Sequence, residues 1–233
     1  LIACGGEYML VEAGHTENGR DVVRYLEELG VTRLEYVVCS HSDADHCGGL
    51  DCIIDSFEVG EVFVSPYDEH KPAYEDFEEA LDNAGLSAEY PDMSIGYPLG
   101  DATVKFVGPL EDYGEINENS LVMLVEYGGT TFFLGGDVGT EGENAMLDMG
   151  ISLDCDVLKV SHHGSVSSTG YRFLYEASPE IAVICCGKDN RYGHPHDEIL
   201  SRLEDADTEI YRTDLDGTVI IFSDGIKVER KTA

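Results

Sequence analysis

Residues 41–50 read His-Ser-Asp-Ala-Asp-His-Cys-Gly-Gly-Leu and follow directly on an apolar run at 34–39. The run has the β-branched, apolar character of a buried strand, so His41, Asp43, Asp45 and His46 are delivered together at a strand end. In an extended loop the alternating positions His41, Asp43 and Asp45 share one side, and His46 joins them as the chain turns into the next helix. Gly48 and Gly49 allow that turn to be close. Carboxylates set this near one another repel unless a cation neutralises them, and two imidazoles among them complete a metal-binding donor set. A merely solvated acidic turn does not account for the two histidines.

Three further motifs follow the same plan. The apolar run of Phe132, Phe133 and Leu134 ends in Gly135-Gly136-Asp137, a single carboxylate presented past two glycines and suited to bridging two metals. Taken alone it is weak, since a strand-end Asp often caps a helix. Leu158-Lys159-Val160 runs into Ser161-His162-His163-Gly164-Ser165, where one imidazole can ligate a metal and the other can donate a proton to a leaving group. Strand alternation places His162 and His163 on opposite sides unless the loop bends. Gly193-His194-Pro195-His196 opens a helix, where backbone N–H groups favour anions; these imidazoles can ligate metal or grip a phosphate. His15 and His70 lack such surroundings and read as surface residues. Asn117-Glu118-Asn119-Ser120 reads as a polar turn before a strand.

Around these motifs, helical and strand patterns alternate along the chain. Strands are predicted at 7–12, 34–39, 60–64, 103–107, 121–127, 130–134, 157–160, 181–185, 209–212, 218–222 and 226–229. Helices are predicted at 19–29, 47–57, 74–84, 141–149, 171–177 and 197–203. No linker or low-complexity stretch divides them, so residues 1–233 are expected to form one α/β domain of two layered sheets with helices outside.

The 233 residues carry 14 basic and 47 acidic side chains, a net charge of −33. Such a surface repels polyanions within a Debye length, roughly 8 Å at physiological salt, and a polyanionic substrate must be held locally. The bland account of this charge is solubility or a salty habitat. No run of about 18 or more apolar residues suggests a membrane span. The seven cysteines form no CxxC pair, and Cys39, Cys52, Cys155, Cys185 and Cys186 sit in apolar runs, which favours a reducing compartment over a disulfide framework. The chain opens at Leu1 without an initiator Met, as an excised or processed fragment would, and shows no signal peptide.

Together these motifs resemble the metallo-β-lactamase superfamily, and more closely the metallo-β-lactamase domain of the ComEC-type competence proteins. The resemblance is carried by SHSDADHCGGL (40–50), NENSLVMLVEYG (117–128), FFLGGDV (132–138), DVLKVSHHGS (156–165) and YGHPHDEIL (192–200), in the family's order. It implies a four-layered αββα sandwich and a metal-dependent nuclease that degrades the non-transported strand of DNA during uptake. It implies His41, Asp43, Asp45, His46 and Asp137 as metal-site residues, with the His162-His163 pair supplying at least one more. The cofactor expected is one or two divalent ions, Zn²⁺ or Mn²⁺. Asp43 stands where the superfamily has its second histidine, and the isolated histidine before Asp137 is missing, with Asn119-Ser120 in that region. The site is thus richer in oxygen than the family pattern, which admits harder ions such as Mn²⁺. The family's first strand, with its GQGD-like turn, is expected upstream of Leu1.

On this reading a metal-activated hydroxide attacks a phosphodiester, Asp45 or Asp137 orients it, and His162, His163 or His194 protonates the leaving oxygen. Asn119, Ser120, Lys159, Ser165 and His196 are the expected substrate contacts. The partners implied are single-stranded DNA and a membrane uptake channel that this chain does not contain. The location is the extracytoplasmic face of the membrane in a competence protein, or the cytoplasm if the chain acts alone. Against tight DNA binding stands the lack of a basic stripe, because Arg172, Lys188, Arg191, Arg202 and Arg212 are scattered. Lys188 and Arg191 do flank His194 as a small basic lip. Alternatives are a smaller phosphodiester substrate, a metal-binding interaction module without turnover, and, weakest, β-lactam hydrolysis.

Overall fold

Strand-forming runs gather into two sheets, seen in a computed structural model that describes residues 1–67 and 71–232. His70 lies outside the described residues. The first sheet orders β1 (Ile2–Cys4), β2 (Glu7–Val11), β3 (Arg33–Cys39), β4 (Glu58–Val64) and β5 (Ala88–Glu89), with neighbours parallel from β2 onward. The second sheet contains β6 (Tyr97–Leu99), β7 (Ala102–Gly108), β8 (Val122–Tyr127), β9 (Thr130–Leu134), β10 (Val157–Lys159), β11 (Ile181–Ile184) and β12 (Glu209–Arg212) side by side in chain order. It is antiparallel from β6 to β9 and parallel from β9 to β12. A ribbon of β13 (Ile220–Ser223) and β14 (Val228–Lys231) completes the strands.

The helices are α1 (Gly19–Glu28), α2 (Ala44–Cys47), α3 (Leu50–Ser56), α4 (Pro72–Ala84), α5 (Thr140–Asp148), α6 (Tyr171–Ala177), α7 (Asp197–Asp205) and α8 (Thr213–Asp216). Each sheet buries both faces. In β3, Tyr36 and Val38 point to the second sheet, where they join Phe63, Phe106 and Met123. Val37 and Cys39 point the other way and pack with Leu26 of α1, Ile53 of α3 and Phe77 of α4. On the far side of the second sheet, Phe133 and Leu158 pack with Met146 of α5, Phe173 of α6 and Leu203 of α7. The order is helices, sheet, sheet, helices: the four-layered αββα sandwich. Two covered faces explain why β3 reads as a nearly continuous apolar run.

Three expectations need correction. The helix expected at 47–57 is broken, with α2 ending at Cys47 and α3 beginning at Leu50. At the break a Cβ on Gly48 would lie 2.3 Å from the Ala44 carbonyl oxygen, and one on Gly49 would lie 2.6 Å from that of Ala13. Only glycine permits this approach of the metal-site turn to the end of β2. The strands expected at 218–222 and 226–229 lie further along, because Asp224 Oδ1 accepts from the Ile226 and Lys227 N–H groups at 2.9 and 3.0 Å and fixes the turn there. Finally, His162 and His163 do not alternate. Both adopt left-handed backbone, φ 50° and 54°, inside a 3₁₀ turn, so the loop bends and keeps both rings on one side.

One buried carboxyl gives the fold a pH dependence. Glu143 of α5 is 1% exposed, and its oxygens accept the N–H groups of Thr169 and Gly170 at the start of α6. Burial pushes its pKa up to about 8 in spite of those bonds, from an ordinary value of 4.5. The folded state therefore binds the extra proton between those pH values. This contribution is complete below the ordinary value and is lost as pH rises through about 8. Urea titrations should show wild-type stability falling by a few kcal/mol across that window from this group, with a flatter profile for Glu143→Gln. Identical profiles for the two proteins would show that Glu143 is ionised throughout.

Candidate metal centre

Five strand ends converge at one mouth of the sandwich. Glu12 follows β2, and His41 to His46 follow β3. Asp137 follows β9, His162 and His163 follow β10, and the Cys185 carbonyl follows β11. These are the carboxyl ends of the parallel strands, where open α/β sheets place their ligands. Backbone strain is concentrated here. Glu12, His162 and His163 are non-glycine residues at positive φ, and Gly136 at φ 55° makes the bend that delivers Asp137. A Cβ at Gly136 would fall 2.8 Å from Ser40 Oγ.

The imidazoles are oriented from behind. His163 Nδ1–H donates to the Cys185 carbonyl at 2.8 Å, which turns Nε2 inward. Ser40 Oγ–H donates to Glu12, so the same oxygen is free to accept from His41 Nδ1, 3.0 Å away. His41 Nε2 is then a fully buried nitrogen without a hydrogen-bond partner. Glu12 Oε1 lies 2.8 Å from His46 Nδ1, turning His46 Nε2 the same way.

The inward atoms form a tight set. His46 Nε2 is 3.2 Å from His163 Nε2 and 3.3 Å from Asp137 Oδ2. Asp137 Oδ2 lies 3.6 Å from His163 Nε2 and 3.8 Å from His162 Nε2, and Asp45 Oδ2 lies 3.5 Å from His163 Nε2. Asp137 Oδ1 is buried without a partner. Two imidazole Nε2 atoms and a carboxylate oxygen so close together fit a shared cation, which would take the place of a proton held between them. Asp45, His46 and His163 have ligand atoms in mutual reach, and so have Glu12, His41 and His46. Because Glu12 faces the Nδ1 side of His46, we read it as the orienting group and the Nε2 side as the metal side.

The electrostatics match. For Asp137, burial works against the charged form, but His46 and then His163 and His41 hold its pKa well below the carboxylate range. Asp45 is lowered to about 2, chiefly by its hydrogen bond with His163. For His46, burial opposes the charged form, but Glu12 and Asp137 outweigh it and raise the pKa well above the ordinary histidine value. His194 is lowered to about 4 by burial and then by His196, His162 and His163.

Not every expected residue stands where the sequence suggested. Asp43 is the extended residue before α2, so Asp45 sits in a helical turn rather than an extended loop. Asp43 Oδ2 is 3.7 Å from His41 Nε2, and its other oxygen accepts from Lys71 Nζ. Asn119 is buried, with its amide engaged by the Tyr113 N–H and by Asp112 at 2.9 Å each, away from the donor set. Ser120 Oγ lies 3.3 Å from His41 Nδ1 and accepts the Asp137 N–H at 3.1 Å, so it braces ligands. Lys159 Nζ is buried behind the cluster, where burial opposes its charge but Glu12 raises its pKa. Ser165 bonds Ser167, and His196 Nδ1 accepts the Val166 N–H at 3.1 Å, holding the 164–167 loop. His194 does reach the site, stacked 6.4 Å from His163. His15 is exposed.

Two residues escaped the sequence reading. Asn117, rather than Asn119, faces the cluster, with Nδ2 3.4 Å from His162 Nε2 and a buried, unpartnered Oδ1. Glu12 carries the same signal as Asp137, a carboxylate at the end of an apolar strand before a glycine, but it has no histidine beside it in sequence. Glu12→Gln keeps the volume and removes the charge that orients His46. It should weaken Mn²⁺ binding by about 10–100-fold in calorimetry, and an unchanged affinity would remove Glu12 from the centre.

Similarity to known proteins points to one family. The profile of the metallo-beta-lactamase superfamily matches residues 1–188. ComE operon protein 3 of Bacillus subtilis (strain 168) is 31% identical over 199 residues, 85% of this chain and 26% of that protein. Competence protein ComA of Neisseria gonorrhoeae is 28% identical over 234 residues, 99% of this chain and 32% of that one. The chain thus spans between a quarter and a third of the length of these relatives. The metallo-beta-lactamase fold protein YhfI from Bacillus subtilis shares the fold at a TM-score of 0.59 and 14% identity, covering 90% of this chain and 86% of its own. No helix among the described residues is long and apolar enough to cross a membrane.

Proposed function

The chain belongs to the metallo-beta-lactamase superfamily, and from that footing we propose that it is a metal-dependent phosphodiesterase acting on single-stranded DNA in an uptake setting. The observation that carries the reading is the convergence of Asp45, His46, Asp137 and His163 on one point, with two Nε2 atoms facing a buried carboxylate. The names of the curated relatives supply the competence context. Two imidazoles and two carboxylates make a mixed donor set that suits Mn²⁺ as well as Zn²⁺.

Divalent ions there would neutralise charge developing on the phosphoryl group and bring a water close to neutral acidity. The protein's own part is positioning. Asp137 is locked by Ser120 and by three imidazoles, so it holds its place without rearrangement. Asp45, with a side chain 36% exposed, faces the cleft and orients the attacking water. Proton delivery to the leaving oxygen falls to His162 or His194, whose rings lie 5.8 Å apart; burial lowers both pKa values in the free protein, and an anionic phosphate beside either ring would raise it again. Asn117 is placed to hold a phosphoryl oxygen through its amide N–H.

The test uses metal-stripped protein, end-labelled single-stranded DNA, and Mn²⁺, Zn²⁺ or Mg²⁺ added separately, beside an Asp45→Ala control. Shortening of the strand that needs metal and is absent in the control is expected. Intact DNA with every ion, although calorimetry shows metal bound, would overturn the DNA reading. The charge of −33 favours a smaller phosphodiester in that event, and hydrolysis of bis(p-nitrophenyl) phosphate would establish it. Binding without turnover of either substrate would leave a metal-binding interaction module.

A further inference from the structure

Positive charge is sorted unevenly over this acidic chain. Most of its 14 lysines and arginines pair with a neighbouring carboxylate, as Arg172 does with Asp148 and Arg212 with Asp214. Among the described residues, Arg20, Lys159, Lys188, Arg191 and Lys227 have no carboxylate at ion-pair distance. Of these five, Lys159 is buried behind the metal centre, Arg191 lies close enough to Asp45 to interact with its charge, and Lys188 precedes Arg191 in the same loop after β11.

Arg191 is also held in place. Its guanidinium lies over the Tyr192 ring, 4.7 Å from the centroid, and donates to the Tyr192 hydroxyl. Tyr192 stacks on His194 at 5.6 Å and 21°, and His194 stacks on His163 at 6.4 Å and 23°. A row of planar groups thus runs from an exposed arginine down to a residue of the metal set. Tyr192, His194, His163 and Asp45 line one cleft of about 1010 Å³.

Resting on the function proposed above, we infer that residues 188–192 form the lip that takes the phosphates beside the scissile one in a single nucleic-acid strand, with Arg191 the phosphate-binding side chain and Tyr192 its positioning residue. A cation without a carboxylate partner is free to bind an external anion, and a guanidinium fixed by stacking loses less freedom in doing so. Two unpaired cations serve one strand over a short footprint. A duplex would press its second row of phosphates against uncompensated acidic surface.

The experiment measures anisotropy of a labelled oligothymidylate against Mn²⁺-loaded protein over a range of salt. Arg191→Glu should weaken binding about tenfold and reduce the salt slope by about 0.7, the share of one phosphate contact on a single strand. Tyr192→Ala should weaken binding while keeping the slope, since the charge remains, and Tyr192→Phe should recover most of the affinity. Arg20→Glu makes the same charge change on α1 and should bind like wild type. The inference is overturned if Arg191→Glu binds like wild type, if Arg20→Glu weakens binding equally, or if wild type fails to bind the oligonucleotide. Hydrolysis of bis(p-nitrophenyl) phosphate is followed in parallel. Its absence, together with intact single-stranded DNA, beside Arg191-dependent binding would sink the hydrolase reading and leave the lip standing.

Discussion

Asp137→Ala should lower metal-dependent turnover by at least about 10³-fold, the scale on which loss of one preorganised electrostatic group is felt. Asp137 Oδ2 is the atom that His46, His163 and His162 share, at 3.3, 3.6 and 3.8 Å. Removing it leaves several imidazoles around a pocket with no central anion, and two like-charged cations would then repel there. Asp137→Asn separates charge from packing. The amide keeps the shape, and its N–H donors cannot bind a metal facing the imidazole lone pairs. Both variants should lose Mn²⁺ binding in calorimetry while their far-ultraviolet circular dichroism stays native. Wild-type metal affinity in Asp137→Asn would place the metal elsewhere.

The largest effect on stability is expected from Phe63→Ala. Phe63 of β4 is 1% exposed between the sheets. Its ring meets Tyr97 at 4.8 Å, Phe106 at 5.1 Å and Tyr36 at 5.7 Å, edge-on or tilted. Truncation removes the ring's burial and leaves a cavity whose walls belong to two rigid sheets, so little collapse can fill it. A loss of about 3–5 kcal/mol in equilibrium urea unfolding follows, beyond what most single substitutions cause. A loss below about 1 kcal/mol would mean that the sheets close over the space.

Where the sequence spoke clearly, strong local periodicity agreed with tertiary burial. The hairpin strand β9, helix α6 and strand β12 lie at the residues their patterns predicted. The short strands β1, β5 and β6 were missed because two or three residues carry no period, and their pairing is set by distant partners. The site was legible as a set of strand ends but not as geometry. Alternation fails at His162 and His163 because both are held in left-handed backbone, which no local preference selects. Asn117 and Asn119 are equivalent in sequence, and only the hydrogen bonds from Asn119 to Asp112 and Tyr113 decide which one faces the histidines. Net charge was legible, but which cations lack partners depends on pairs brought together by folding.

His46 follows a strand of the first sheet and His163 a strand of the second, 117 residues further along the chain, yet their Nε2 atoms meet at 3.2 Å. An ion gripped by both is a clasp across the open edge of the sandwich. The unfolded chain cannot assemble it, so its affinity adds directly to the folded state, about 2.7 kcal/mol at a hundredfold excess over Kd. Chelation should accordingly open the mouth before the rest, with amide exchange quickening around 41–46 and 160–164 while the central strands stay protected. In a cell starved of the ion, proteases would meet a looser molecule, and metal scarcity would lower the amount of this protein as well as its turnover.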